Sequence, residues 1–179
     1  MSLKHNARQP ILAAMFLALA LVLPFLTGQI PQIGNKLCPM HIPVLLCGFF
    51  CGPWYGLAVG LIAPLMRSLL FGAPPLIPKG ISMSLELAAY GLVSGCLYRA
   101  LPKTKPYIYV SLIGAMLVGR LIWGGARLVF YGLGLSDPFG WSAFLAGALL
   151  DAIPGIIIQL LLVPILVMAL KKEQRRSPY

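Results

Sequence analysis

Long apolar runs alternate with short breaks rich in glycine and proline, and this alternation limits the folds that the chain can adopt. The breaks read GQIPQIGNK, CGPWYG, FGAPPLIPKG, LPKTKP and GLGLSDPFG, all sequences that interrupt helices. Crossing the hydrocarbon core of a bilayer takes about 20 apolar residues. Because 59% of the 179 residues are hydrophobic and only 10% are charged, the chain has room for about six such spans and little else.

We therefore predict an all-α integral membrane protein, a single membrane domain over 1–179 built as a bundle of six transmembrane helices. The predicted spans are residues 11–27, 41–52, 54–71, 80–99, 107–132 and 141–170, with boundaries uncertain by a few residues. The second span is short, so we expect it to pair closely with the third. This leaves no length for a separate catalytic or ATP-binding domain.

Lysine and arginine predict the orientation. Nine of the 14 lie at the N-terminus, between the fourth and fifth spans or in the tail: Lys4, Arg8, Arg99, Lys103, Lys105, Lys171, Lys172, Arg175 and Arg176. By the positive-inside rule both termini are cytoplasmic, and the loops 28–40, 72–79 and 133–140 are external. Anionic lipid headgroups account for the net charge of +10, so no nucleic-acid partner is expected.

Ionisable residues inside the spans are the strongest functional signal, since charge in a bilayer is costly and marks functional sites. There are five of them: Arg67, Glu86, Arg120, Arg127 and Asp151. Polar stripes at helical spacing run along three successive spans: Ser82, Glu86 and Tyr90; Arg120, Trp123, Arg127 and Tyr131; Gly147, Asp151, Gly155 and Gln159. Residues three or four apart share one helical face, so the stripes are predicted to face inward.

Depth follows from counting residues at about 1.5 Å each from the outer end of a span. Glu86 lies about 9 Å deep and Arg127 roughly 8 Å deep, so we expect these two to pair in the outer leaflet. Asp151 and Arg120, about 15 and 18 Å deep, are expected to pair near the middle. Either pair can instead neutralise buried charge without touching a ligand. Arg67 either points into an outer cavity or snorkels to the surface.

Enzyme signatures are missing: the sequence contains no nucleophile elbow, HExxH, paired-aspartate phosphotransferase motif or Walker motif. Cys47 and Cys51 share a helical face, but no second pair completes a metal site, so we interpret them as buried apolar residues. An external cavity lined by Trp, Tyr, Arg and Glu suits a small polar molecule with a ring or a carboxylate. We predict a transport protein that is not an enzyme and needs no cofactor or metal.

Four segments carry a resemblance to a known family: AAMFLALALVLPF, CPMHIPVLLCGFFCGPWYG, PLMRSLLFGAPPLIP and SLELAAYGLVSG. With the six-span layout, they resemble the substrate-binding S component of an energy-coupling factor (ECF) vitamin transporter. The resemblance implies high-affinity capture of a vitamin or metal ion at the outer face of a prokaryotic plasma membrane, and release inside after the subunit topples. It also implies a transmembrane coupling subunit and two cytoplasmic ATPases as partners.

The resemblance also assigns residues. Ala14 and Ala18 match the family's A-x-x-x-A contact with the coupling subunit, although small residues at this spacing can also pack within the chain. The loop before the second span is a lid in this family, which makes Asn35 and His41 possible ligand contacts; His41 can instead cap its helix or bond a loop carbonyl. The candidate substrate contacts are Glu86, Arg127, Trp123, Tyr90, Arg120, Arg67, His41, Asn35 and Asp151.

The mixed cavity lining suits pantothenate, a pyridoxine-like or pyrimidine vitamin precursor, or a related small anion. Met40 and His41 are similar to the Met-His start of nickel and cobalt S components, but they are internal and lack the free amine, which argues against metal transport. The alternative function is a stand-alone proton-coupled secondary transporter, with Glu86 or Asp151 carrying protons. No convincing internal repeat supports it.

Overall fold

The computed structural model describes residues 3–26, 39–102, 104–147 and 152–176, and every regular element in these ranges is helical. In chain order the helices are α1 (Leu3–Leu26), α2 (His41–Cys51), α3 (Pro53–Phe71), α4 (Ile81–Ala100), α5 (Lys105–Gly132), α6 (Trp141–Leu145) and α7 (Ile153–Arg176). An irregular turn, Leu76–Gly80, leads directly into α4. The predicted all-α fold is confirmed.

Five segments in these ranges are long and apolar enough to cross a membrane, and the chain is a multi-pass membrane protein. They are Ala7–Phe25, Pro53–Phe71, Leu76–Ala100, Lys105–Gly132 and Ile153–Leu170. The predicted second span corresponds to α2, which has 11 residues and is shorter than a bilayer is thick. Since α2 is almost wholly buried and contacts α1, α3, α4 and α7, protein rather than lipid surrounds it.

The predicted span over 141–170 is not one continuous helix. The described part of this stretch contains α6, which ends at Leu145, and α7, which begins at Ile153 after a turn at Ala152. Pro154 lies in the first turn of α7, where its missing N–H needs no helical partner. Hydropathy alone did not reveal this helix start, because the residues on both sides of it are apolar.

Glycines bring the backbones of α2, α3 and α4 into direct contact. A Cβ atom at Gly91 of α4 would overlap the backbone of Gly56 in α3, and one at Gly56 would lie 2.5 Å from the Gly91 carbonyl oxygen. Gly60 similarly faces the backbone of Leu87, and Gly48 of α2 also faces Gly91. Small residues at a spacing of four allow such close helix packing in a membrane. This glycine contact fixes the position of α4, which carries Glu86 and Tyr90.

Arg67 holds α3 against α1. Its Nη1 donates a hydrogen bond of 3.1 Å to the carbonyl oxygen of Leu21, and its guanidinium lies 5.1 Å from the ring of Phe25 and 5.7 Å from that of Phe71. The side chain is buried among these partners, so it does not snorkel. These contacts account for Arg67 without a ligand, and its predicted role as a substrate contact stays a prediction.

Many of the large apolar side chains that remain exposed lie on the long helices. Examples are Leu69 of α3, Leu117 and Leu121 of α5, and Leu161 of α7, each at least 60% exposed. Contiguous apolar surface of this kind would be a liability in water but is the normal surface of a helix in lipid. The polar side chains inside the bundle are therefore separated from the apolar surface that contacts lipid.

Candidate functional site

Glu86 is the centre of a buried polar cluster between α2, α4 and α5. Its Oε1 lies 3.0 Å from Nη1 of Arg120 and 3.5 Å from Nε2 of His41. The His41 ring meets the ring of Tyr90 edge to face, with 5.1 Å between the centroids. We call these four residues, His41, Glu86, Tyr90 and Arg120, the inner cluster. All four are among the predicted substrate contacts, and three different helices bring them together.

The ion pair at Glu86 differs from the predicted one. Arg120, not Arg127, lies next to the Glu86 carboxylate. The depth count started at residue 80, whereas the spanning segment begins at Leu76. Glu86 is then about 15 Å deep, close to the roughly 18 Å of Arg120. The predicted ion pair of Asp151 with Arg120 stays a prediction, because Asp151, like Asn35, lies outside the described residues.

Arg127 instead lines an open cleft between two loops. The cleft has a volume of about 490 Å³, which falls within the usual range for small-molecule sites, roughly 300–1,000 Å³. Its walls are the turn before α4 and the loop after α5, and they include Pro75, Pro78, Lys79, Arg127, Ser136 and Asp137. We call it the outer cleft. Its charged lining can interact with both ends of a zwitterionic or acidic molecule.

Aromatic rings flank the outer cleft. The guanidinium of Arg127 lies 5.5 Å from the ring of Phe139, and Trp123 meets the same ring edge to face at 5.6 Å. Trp123 also lies 6.4 Å from Phe144 of α6, which stacks on Trp141 at 5.5 Å. Trp123 and Arg127, both predicted contacts, therefore share Phe139 as a neighbour. These rings support Arg127 from behind the lining of the outer cleft.

Helix α5 connects the inner cluster with the outer cleft. Arg120, Trp123 and Arg127 are spaced by three and four residues, so they follow one face of the helix over about 10 Å. Arg120 belongs to the inner cluster, and Arg127 belongs to the outer cleft. The predicted polar stripe on this span thus leads from the outer loops toward the buried carboxylate.

Sequence reasoning did not assign several residues that the structure places in or near the site. Gln159 of α7 is 1% exposed; the stripe of the sixth span contained it, but it was not selected as a contact. On α7 it shares a face with Val163 and Val167, which belong to the same buried core cluster as Tyr90. Phe139 and Lys79 lie in breaks between spans, where no periodicity indicates which side chains turn inward.

Ala14 and Ala18 lie far from these groups, on an exposed face of α1. Ala13 and Ala20 of the same helix are 6% and 0% exposed and pack against α2 and α3. The described contacts therefore leave Ala14 and Ala18 accessible to another helix, while their neighbours perform the internal packing.

The family described as ECF transporter, substrate-specific component, matches residues 8–167. That range contains the described residues of the inner cluster and the outer cleft, together with the exposed alanines of α1. No curated protein and no solved structure matches the chain significantly. Because the match covers nearly the whole chain, this protein belongs to the substrate-specific components of ECF transporters and is a substrate-capture subunit in the membrane.

Proposed function

We propose that the protein is the high-affinity capture subunit of an ECF-type ABC importer for a small water-soluble vitamin or vitamin precursor. The observation that carries the proposal is the inner cluster, in which Glu86 is within ion-pair distance of Arg120 and His41 at the end of a stripe that starts in an open cleft. Ionisable groups at this depth mark a substrate path by default.

The proposed binding path runs along α5. A ring or hydrocarbon portion packs against Trp123 and Phe139, and a carboxylate or phosphate binds Arg127, whose planar guanidinium can donate two parallel hydrogen bonds. The polar remainder reaches the inner cluster. The substrates that we propose are pantothenate, which combines a hydrocarbon portion with a carboxylate, and a pyridoxine-like compound or pyrimidine precursor, which supplies a ring with polar substituents.

The proposed orientation places the outer cleft outside the cell and both termini in the cytoplasm. The cleft is formed where α4 begins and α5 ends, whereas Arg99 and Lys105 lie at the opposite ends of these helices. Clustered cations favour the cytoplasmic face. With α2 counted as a short span, this topology has six spans, in the plasma membrane of a prokaryote.

The proposed partners are a transmembrane coupling subunit and two cytoplasmic ATPases, which would hydrolyse ATP for uptake. Ala14 and Ala18 support the first of these, since their exposed face on α1 allows close approach of another helix. No motif for nucleotide binding is present in the sequence, so the energy for transport would come from the partners.

The function is tested by combining capture with uptake. The detergent-purified chain, mixed with a defined set of water-soluble vitamins and precursors, is expected to retain one component in native mass spectrometry. Cells that express the chain together with a coupling subunit and ATPases are expected to take up that component only when the ATPases are active. Uptake by the chain alone, driven by a proton gradient, would support the secondary-transporter alternative and contradict the proposal.

The role of Arg127 gives a further prediction. Arg127→Lys keeps the charge but loses the planar fork and the contact with Phe139, so the captured component should bind about 30-fold more weakly, corresponding to roughly 2 kcal/mol. Arg8→Lys, an exposed position on α1, is the matched control and should leave affinity unchanged. Isothermal titration of the purified variants makes the measurement; equal affinity in both would remove Arg127 from the site.

A further inference from the structure

Three deeply buried side chains carry polar atoms that have no hydrogen-bond partner in the described part of the protein. They are His41, Glu86 and Gln159, which are between 1% and 2% exposed. Both ring nitrogens of His41, Oε1 of Glu86 and both amide atoms of Gln159 are without a hydrogen bond there. Oε1 of Glu86 is within ion-pair distance of Arg120 and His41, yet neither donates to it with hydrogen-bond geometry.

Such groups are rare because leaving a buried donor or acceptor unpaired is costly, more so for a charged one. Here they come from three different helices that share one core cluster: the His41 ring contacts Tyr90, a member of that cluster, and Gln159 lies one turn from Val163, which belongs to it as well. A network with a purely structural role would give each of these atoms a hydrogen bond, and the ion-pair contacts of Glu86 Oε1 with Arg120 and His41 do not do so. Their arrangement instead suits a binding partner that supplies the hydrogen bonds.

The hydrogen-bonding capacity of these groups defines what that partner must carry. An ionised Glu86 accepts hydrogen bonds only, so the group beside it must donate. Gln159 requires at least one acceptor for its NH₂ and one donor for its carbonyl oxygen, and a neutral His41 likewise requires one of each. Carboxylate and phosphate oxygens offer acceptors alone, and they would place a second negative charge beside Glu86.

The positive charge of Arg120 does not make the inner cluster a site for an anionic group. Its Nη1 is already 3.0 Å from Glu86, so among the described residues the positive charge of Arg120 lies beside a negative charge before any ligand binds. A further anion would have to compete with Glu86 for that guanidinium. The other described cations near the path are Arg127 and Lys79, and both line the outer cleft.

We propose that the buried end of the substrate is a neutral or cationic group that carries N–H or O–H donors, such as an amino- or hydroxyl-substituted ring edge, bound by Glu86, His41 and Gln159. Any acidic group of the same molecule then points outward, to Arg127. This inference rests on the proposed function and narrows it: a molecule with acidic groups at both ends is excluded, and so is one without donors.

The test separates binding from stability through Gln159→Leu, which replaces the amide with an apolar side chain of similar size. The probe is a defined mixture of water-soluble vitamins and precursors that includes pyridoxine, which carries several hydroxyl donors, and nicotinate, whose form at neutral pH carries a carboxylate and no N–H or O–H donor. Native mass spectrometry of the purified full chain should show capture of a donor-bearing component. The captured fraction should fall at least tenfold in Gln159→Leu and in Glu86→Gln.

Thermal unfolding of the same chains without probe gives the second readout. Because Gln159→Leu removes an unpaired buried amide, its melting temperature should equal that of the wild type or exceed it by about 3 °C. A structural role for Gln159 predicts a lower value. Gln9→Leu on α1 makes the same chemical change outside the site, and it should leave the captured fraction unchanged.

The outcomes are distinguishable. Undiminished capture in both Gln159→Leu and Glu86→Gln, a lower melting temperature for Gln159→Leu, or capture of a component without donors would overturn the inference and leave the capture function intact. If the wild-type chain captures no component, the proposed function itself fails, and the inference fails with it.

Discussion

Gly91→Val is expected to destabilise the helix bundle strongly. The Cβ of any residue at this position would overlap the backbone of Gly56, and a backbone group cannot rotate away as a flexible side chain can. Overpacking a well-packed site costs typically 1–3 kcal/mol, and valine adds two more methyl groups to a contact that already excludes the first carbon. We expect a loss above about 3 kcal/mol, or a fall in melting temperature near 10 °C or more.

Gly125→Val is the matched control for this change. Gly125 lies in the middle of α5, and a Cβ there would meet no atom within 4 Å. Valine has a somewhat higher helix propensity than glycine, so the control should have a melting temperature close to that of the wild type. Size-exclusion profiles and thermal unfolding in detergent measure both variants. A monodisperse Gly91→Val protein with wild-type stability would mean that α3 and α4 are farther apart than their glycines indicate.

Helix positions were largely predictable from sequence, because a bilayer imposes length and apolarity on each span. The predicted spans over 54–71, 80–99 and 107–132 lie within a few residues of α3, α4 and α5. Glycine and proline breaks mark these ends, and no tertiary contact has to be known to find them. The same reasoning failed over 141–170, since Pro154 starts a helix within an apolar stretch.

The partners of buried charges were less predictable. Sequence identified Glu86 and Arg120 as intramembrane ionisable residues, but a choice between Arg120 and Arg127 depends on the relative height of α4 and α5. A shift of a few residues in the start of the span moves a side chain by about one helical turn, or 5.4 Å. The turn before α4 introduces such a shift, and only the folded loop reveals it.

Residues of the same type in predicted spans also make different contacts in the structure. Arg67 and Arg120 are both arginines in predicted spans, yet Arg67 bonds a carbonyl of α1 and stacks between phenylalanines, whereas Arg120 lies beside a carboxylate. Their sequence neighbourhoods do not distinguish these roles, because the partners come from distant segments. Gln159 belongs to the same class: its stripe was visible, but its lack of hydrogen-bond partners is a property of the packed core.

Ala14→Trp and Ala18→Trp are expected to abolish uptake and leave capture of the vitamin compound unchanged. Both alanines lie on an exposed face of α1 that the rest of the described bundle does not cover. A tryptophan there would hold another helix several ångströms away and remove the close packing that small residues allow in a membrane. The proposed site is built on α2, α4, α5 and α7, so its affinity should not change. Co-purification with the coupling subunit, ATP-dependent uptake and isothermal titration measure the three effects.

Two further variants separate a partner interface from ordinary lipid contact and from internal packing. Leu117→Trp places the same bulky side chain on the lipid-facing side of α5, where Leu117 is 63% exposed, and it should assemble and transport normally. Ala13→Trp enlarges a buried residue that is 6% exposed, and it should reduce thermal stability together with capture. If Ala14→Trp behaves like Ala13→Trp, the alanines pack inside the protein; if it behaves like Leu117→Trp, they face lipid. Loss of assembly at full stability and full affinity occurs only if the partner helix packs on this face.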